Sequence, residues 1–390
     1  MLVLGALTAL GPFTIDLYLP SFPVIEDEFG AATATVQLTL TATTVGFALG
    51  QLLIGPWSDK IGRRVPLIAA TALHVVASIG VAAAPNIELV GVFRAIEGMG
   101  AAGGGVVAMA TVRDLFGGVP LVRMLSRLAA VSGLAPILAP LIGSQLLLVM
   151  PWRGVFWALA GYGAIVLALS AIFIVETRPT DARTLAGHAT ARDRYRALFT
   201  DRIFVGVAVI AGMTFTGLFA YLSSSSFLFQ KVYSLSAQQF GFLFALGSVG
   251  VVIGVQVSSR LAARFGPQWV LSGAVLGQFL AASAIVLMDS LHVGLVGVLI
   301  PLWVFITCCG FSFPCQQVLA LAGHPAEAGT AASLMGAINF GLAGALSPVV
   351  GLFGIHNAIP MGVMMMCTAS VSILVMSLVV RPRSVPALAR

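Results

Sequence analysis

Long runs of apolar residues dominate this chain, and each is about as long as a helix must be to cross a bilayer, about 20 residues. Twelve can be marked, at roughly 2–22, 34–56, 66–84, 87–110, 122–148, 153–175, 203–227, 237–259, 268–288, 292–315, 328–353 and 357–380. In hydrocarbon every backbone donor and acceptor must find a partner within the segment or in a closed barrel, so runs of this length are expected as helices. Charged residues make up only 9% of the chain and the mean hydropathy is +1.03, which excludes a soluble globular domain. The expected fold class is an all-α membrane protein with twelve transmembrane helices.

Counting Arg123 and Arg127, at the start of the fifth run, with the connection before it, every lysine and arginine except Arg94, Arg153 and Lys231 falls in an even-numbered connection or in the C-terminal tail. The positive-inside rule therefore places those connections and both termini in the cytoplasm. Glu26, Asp27 and Glu28 fall in the first outside connection. The first run starts at the N-terminus without a basic leader and holds Asp16 and Pro20, so it is expected to be retained rather than cleaved as a signal. Because the arginines are scattered over several connections, nucleic acid is not an expected partner. Cys308, Cys309, Cys315 and Cys367 lie inside apolar spans without metal or disulfide spacing and are expected as buried small hydrophobes. There is no GxxxxGK[ST] loop, and neither Lys60 nor Lys231 follows a glycine, so no nucleotide is expected. No cofactor and no metal are implied.

The longest polar stretch, 176–202, separates the runs six and six. The expected organisation is a six-helix bundle over 1–175, a cytoplasmic linker over 176–202, a second six-helix bundle over 203–380 and a tail over 381–390. Within the linker, Arg192, Arg194 and Arg196 either lie on a short helix that snorkels to anionic headgroups or belong to a flexible tether. A weak repeat links the halves: residues 259–266 follow the eighth run much as 55–62 follow the second, sharing a basic residue and a final glycine, with Ala263 in place of Asp59. Paired halves of this kind are a transporter plan.

The first copy, Gly55-Pro-Trp-Ser-Asp59-Lys60-Ile-Gly62-Arg63-Arg64, reads as a turn at a membrane face. Its glycines permit tight turning, and Asp59 can pair with its basic neighbours across a helix junction. Ionisable groups inside a span are costly and mark function by default. Three qualify: Asp16, Arg94 and Glu97. Counting along the helices puts Asp16 roughly 20 Å from the inner end of the first and Arg94 roughly 10 Å from the outer end of the fourth, in a core of about 30 Å. Those depths agree, so the two can meet. Burial disfavours a carboxylate's charge while a guanidinium restores it, which makes either a proton-driven switch or a fixed ion pair. Glu97, three residues after Arg94 and on the same face, either neutralises that arginine or is a second proton site. His74 reads as a packing residue. In the fifth run, Pro136 and Pro140 with Gly133 and Gly143 imply a kinked, closely packed helix. Tyr18, Gln37, Phe215, Phe219 and Tyr221, with Trp303, Phe311 and Asn339, are candidate substrate contacts.

With these residues laid out, the chain resembles the major facilitator superfamily, and within it the Bcr/CflA group of bacterial drug exporters that includes bicyclomycin, chloramphenicol and florfenicol resistance proteins. Residues 55–64 resemble the superfamily's signature between helices two and three, Arg94–Gly100 its fourth-helix motif, and Gly133–Gly143 the fifth-helix antiporter motif. Ile15–Pro20, Val112–Leu115 and Ala328–Leu334 resemble the group more narrowly. The resemblance implies the major facilitator fold with two pseudo-symmetric bundles, proton and drug coupling through Asp16 and Arg94, and gating through Gly55, Asp59, Gly62, Arg63 and Arg64. It departs at Glu97, where a glutamine is common, and at Ser144, where the antiporter motif commonly ends in a second glycine. The expected activity is proton-coupled export of a small lipophilic drug by a monomer in the bacterial cytoplasmic membrane. A metabolite carrier on the same scaffold is the alternative, since fold does not determine cargo. An intramembrane enzyme lacks a nucleophile and base at matching depth, and a receptor that moves nothing has no use for an acid and an arginine at one depth.

Overall fold

A computed structural model gives the structure of residues 2–177, 191–324 and 327–385. Most of the expected linker, together with 386–390 of the expected tail, lies outside the described residues. Among the described residues there is no strand, and twelve helical segments are long and apolar enough to span a membrane.

The first span is broken. Helix α1 (Leu2–Asp16) stops at Asp16, a 3-10 turn follows at Leu19–Ser21, and α2 (Phe22–Phe29) resumes the span. Pro20 and Pro23 each stand in the first turn of a new piece, where a missing backbone N–H is tolerated. The helix therefore continues further than hydropathy suggests. Glu26, Asp27 and Glu28, expected in an outside connection, belong to α2, which ends at Gly30 with φ +56°.

The same overrun corrects the reading of residues 55–64 as a turn. Helix α3 (Thr33–Ile61) contains Gly55, Pro56 and Asp59 and runs for 29 residues, about 43 Å against a hydrocarbon core of about 30 Å. Its last turns therefore stand beyond the core, and the link to α4 (Arg64–Ala83) is only Gly62 and Arg63. Gly62 turns the chain at φ +107°, a value that a side chain resists. The later copy ends its helix the same way, at Gly266 with φ +88°.

Contacts divide the chain into two compact units, Met1–His188 with Ser236–Ala245, and Ala189–Leu235 with Leu246–Arg390. In the first, α5 (Ile87–Leu115) packs on α1, α3 and α4, while α6 (Gly118–Val149) and α7 (Trp152–Phe173) complete it. Small residues bring these backbones together, as membrane helices commonly require. A Cβ on Gly46 would meet the Ala95 carbonyl, one on Gly98 the Thr43 carbonyl, and one on Gly100 the backbone of Ala70 and His74.

The second unit holds α8 (Ala191–Thr200), α9 (Arg202–Phe227) with a π turn at Leu228–Val232, and most of α10 (Ala237–Phe265). It continues with α11 (Pro267–Ser290), α12 (Leu295–Ala322), α13 (Ala328–Leu346), α14 (Val349–Leu352) and α15 (Ile359–Val375). Here too glycines seat backbone on backbone, Gly254 against Thr307 and Gly310 against Val251. Helix α8 decides the open question about the linker: Leu198 is fully buried with Phe204, Val207 and Ala331, so this part is a docked helix and not a tether. Apolar side chains such as Val76, Ile165, Ile172 and Leu280 point outward, as a lipid-facing surface requires. Cys367 lies on that exposed surface, which corrects its reading as a buried residue, while Cys309 and Cys315 are buried.

Candidate functional site

The break after Asp16 organises a buried polar cluster in the first unit. A helix end leaves its last carbonyls without partners, and Arg94 of α5 takes one of them: its Nη2 donates to the Thr14 carbonyl at 2.9 Å. Its Nη1 donates to Glu97 Oε2 at 2.6 Å, a pair one turn apart on α5 and fully buried on both sides. The guanidinium also lies over the Tyr18 ring, 3.9 Å from its centroid, with Phe156 at 5.4 Å. Tyr18 is fully buried, with its hydroxyl 3.2 Å from Thr39 Oγ1. Desolvated cation–π contacts of this kind are worth about 2 kcal/mol.

Glu97 is held from its other side by α4. Ser78 Oγ donates to Glu97 Oε1 at 2.7 Å, and His74 Nε2 lies 3.9 Å from the same oxygen. His74 Nε2 also lies 2.9 Å from Thr14 Oγ1. His74, expected as a packing residue, is thus part of a polar chain that runs from α1 through α4 to α5.

Asp16 stands apart from that chain. It is buried, 5% exposed, its Oδ1 has no hydrogen-bond partner, and it makes no ion pair with Arg94. The expected meeting of Asp16 and Arg94 is therefore corrected: agreement in depth does not fix which face a side chain leaves from, and Glu97, on Arg94's own face, holds the guanidinium. What the structure does bring to the break after Asp16 is the Gly133–Gly143 stretch of α6. A Cβ on Gly143 of α6 would fall on the carbonyl of Leu17, the residue after Asp16. Gly133 meets nothing within 4 Å, so of the two expected close approaches only one is present. Helix α6 runs on through Pro136 and Pro140 without interruption.

At the other end of the unit, Arg63 ties three helix ends together. Its Nε donates to Asp114 Oδ2 at 2.7 Å and its Nη1 to Asp59 Oδ1 at 2.7 Å and Ser58 Oγ at 2.9 Å. Its backbone N–H donates to Glu176 Oε1 at 2.8 Å, and Arg64 Nη2 reaches the Ala171 carbonyl at 2.8 Å. Burial works against the Arg63 charge, but hydrogen bonds and charge from Asp114 and Asp59 outweigh it and raise its pKa above the ordinary value. Gly55 lies inside α3 in ordinary contact with Val106. Sequence reasoning missed Glu176 as a partner and gave Asp114 no role. The signal available was that both acids sit at the ends of apolar runs on the basic side.

The remaining candidates fall in separate places. Gln37 is fully buried in α3. In the second unit Phe215 and Phe219 stack at 5.9 Å, and both meet Phe340, at 5.3 and 6.0 Å; Phe313 adds a fourth ring 5.6 Å from Phe215. Neither Phe313 nor Phe340 was expected. Asn339, next to Phe340 in sequence, has a buried Oδ1 without a hydrogen-bond partner. Tyr221 is buried, and the Phe311 carbonyl accepts from Ser258 Oγ at 2.7 Å. Trp303 is 36% exposed and donates its indole N–H to the Leu246 carbonyl at 3.1 Å.

Comparison with known proteins adds an independent line. The family profile of the Major Facilitator Superfamily matches residues 4–348. The chain is 34% identical over 369 residues to the uncharacterized MFS-type transporter YdgK of Bacillus subtilis, covering 94% of this chain and 92% of that one. It is 30% identical over 365 residues to the bicyclomycin resistance protein homolog of Haemophilus influenzae, covering 93% and 91%. Among solved structures, the partially occluded inward-open conformation of the xylose transporter XylE from E. coli matches with a TM-score of 0.77 at 14% identity, over 99% of this chain and 97% of that one. At that identity the likeness is one of fold.

Proposed function

From the premise that this chain belongs to the major facilitator superfamily, we propose that it exports small lipophilic antibiotic-like compounds from a bacterial cell in exchange for protons. Family membership makes it a multi-pass membrane carrier of small molecules and not an enzyme. The direction, the cargo and the proton coupling are the proposal. So are its setting as a monomer in the cytoplasmic membrane with both termini inside, and its division into two working halves joined by the linker.

Asp16 carries this reading. A buried charge without a partner is costly, so the closed arrangement around Asp16 suits the uncharged acid, while Glu97 neutralises Arg94. When the site opens to water and Asp16 loses its proton, its carboxylate competes with Glu97 for the guanidinium. The break in α1 is then drawn toward α5, and the contact of Gly143 with the Leu17 carbonyl passes that shift to α6. The cluster is a two-state element that a proton gradient biases. Arg63 with Asp59, Asp114 and Glu176 acts as the gate, latching helix ends in one state and releasing them in the other. The aromatic surface of Phe215, Phe219, Phe313 and Phe340 with the Asn339 amide, all within the second unit, suits an uncharged lipophilic cargo.

The driving force is adequate. One pH unit supplies about 1.4 kcal/mol per proton and 100 mV about 2.3 kcal/mol, together enough for roughly a 500-fold gradient of an uncharged compound at one proton per turn. Everted membrane vesicles containing the chain test the proposal with bicyclomycin and chloramphenicol as probes. Uptake is expected under an inward-acid gradient and is lost on adding a protonophore; uptake of neither compound, or uptake that survives the protonophore, would contradict it.

A further inference from the structure

The hydroxyl of Thr14 donates to the Leu10 carbonyl at 2.7 Å, a helical back-bond that occupies its only hydrogen. Toward His74 Nε2, 2.9 Å away, Thr14 Oγ1 is therefore the acceptor, and Nε2 carries a hydrogen. This leaves Nδ1 as the ring's open position. It is buried and has no hydrogen-bond partner, and a Cβ on Gly163 of α7 would lie 3.0 Å from it. Ser78 presents a matching ambiguity. Its single hydroxyl hydrogen has two acceptors in range, the His74 carbonyl at 2.9 Å and Glu97 Oε1 at 2.7 Å. With Nε2 already carrying a hydrogen, Nδ1 is the position at which the ring can take a second proton.

The charge balance says when that proton is needed. With Arg94 on Glu97 the pair is neutral and the imidazole has no call on a second proton. With Arg94 drawn to Asp16, Glu97 is left as a carboxylate in a dry site with no cation, and His74 is the basic group within 4 Å, at 3.9 Å. We infer that His74 is a second proton-binding residue of this carrier: Nδ1 takes up a proton as Arg94 leaves Glu97, and the imidazolium replaces the guanidinium as the counter-charge of Glu97. Asp16 releases its proton to one side of the membrane and His74 draws one from the other, so the net charge of Asp16, Arg94, Glu97 and His74 is the same in both states. Passage of the His74 proton to Asp16 resets the cluster, and one proton has then crossed. The inference rests on the proposed exchange between Asp16 and Arg94.

Among the described residues no charged group other than Glu97 forms an ion pair with His74. Helix α5 brings Arg94 and Glu97, and α1 brings Thr14 with Asp16 beyond it. The titratable groups of α3, Asp59 and Lys60, are at its far end. On α7, Arg153 is engaged with Glu28, and the Tyr162 hydroxyl donates to the Ala6 carbonyl at 2.7 Å.

Nitrogen-15 NMR of histidine-labelled full-length protein in nanodiscs reads this directly, with the His74 signal assigned by its loss in His74→Gln. In Arg94→Ala at neutral pH the signal is expected to shift to the imidazolium position, and to return to the neutral position when Glu97→Gln is added. A His74 that stays neutral in Arg94→Ala overturns the inference. Where Arg94→Ala does not fold, the wild type remains decisive: raising the pH through the titration of Asp16 should first increase the imidazolium fraction, an inverted response absent in Asp16→Asn. An ordinary monotonic loss of the proton in both proteins also overturns it. Neither measurement needs a transported compound, so a negative result here alongside vesicle uptake that collapses with the gradient removes His74 and leaves the export reading standing.

Discussion

At the residue scale, the proposed proton exchange turns on a competition between two acids for one guanidinium. Removing the partner of a buried ion costs about 3–5 kcal/mol, so Glu97→Gln alone would be severe if Arg94 had nowhere to go. Asp16 offers it a second carboxylate. Melting in detergent is therefore expected to show Glu97→Gln as mildly destabilising, while the double variant Asp16→Asn/Glu97→Gln loses about 1–3 kcal/mol more than the two single effects added together. Additive losses would mean that Arg94 never reaches Asp16. The three charges themselves were legible in the sequence, because ionisable groups stand out against apolar spans. Their pairing was legible in part: a three-residue spacing on one face offered the Arg94–Glu97 contact as one of two readings. Residue counting, by contrast, gives depth along a helix but not the direction a side chain leaves it, so the separation of Asp16 from Arg94 could not be read. His74 and Thr14 went unread because a lone imidazole and a lone hydroxyl in a span carry no pattern until a third helix brings them together.

At the element scale, helix ends and glycine seams matter most. The Cβ of an alanine at 143 would collide with the Leu17 carbonyl, whereas one at 133 meets open space. Overpacking of this kind typically costs about 1–3 kcal/mol. Gly143→Ala is thus expected to lower the melting temperature and slow transport, with Gly133→Ala close to wild type; equal behaviour of the two would contradict the seam. The latch at Arg63 gives a similar contrast. Asp114 is the better shielded partner, with a side-chain exposure of 21% against 55% for Asp59. Exposed pairs contribute about 0–1 kcal/mol, and hydrogen bonds to charged groups in shielded sites about 1.5–3 kcal/mol. Asp114→Asn should therefore impair cycling more than Asp59→Asn, read as turnover at saturating drug, while neither changes drug binding. The twelve spans were readable from hydropathy because lipid imposes it on every one of them. The ends were not, since α2 and the last turns of α3 are amphipathic or polar and continue as helix beyond the apolar core.

At the scale of the whole molecule, the two units share their glycine seams and their positive-φ helix stops but not their charges. Where the first unit buries Arg94, Glu97 and His74 within its helices, the second buries His324 against Asp201 at helix ends, at 3.0 Å, and neutral donors within its helices: Gln278 Nε2 to Ser312 Oγ at 3.0 Å and Gln316 Nε2 to Thr214 Oγ1 at 3.1 Å. The proposed proton handling accordingly falls to the first unit. Gln278→Leu and Gln316→Leu are expected to leave the number of protons moved per drug unchanged, and a changed ratio in either would show that the second unit takes part. The repeat was visible in the sequence only at residues 55–62 and 259–266.

The proton proposed to be exchanged for cargo rides on Asp16, and proteoliposomes loaded with a pH dye can follow it. An imposed gradient of chloramphenicol or bicyclomycin should move protons through the wild-type protein. In Asp16→Asn the same gradient should move none while the compound still exchanges across the membrane. Proton movement in Asp16→Asn equal to wild type would contradict the claim.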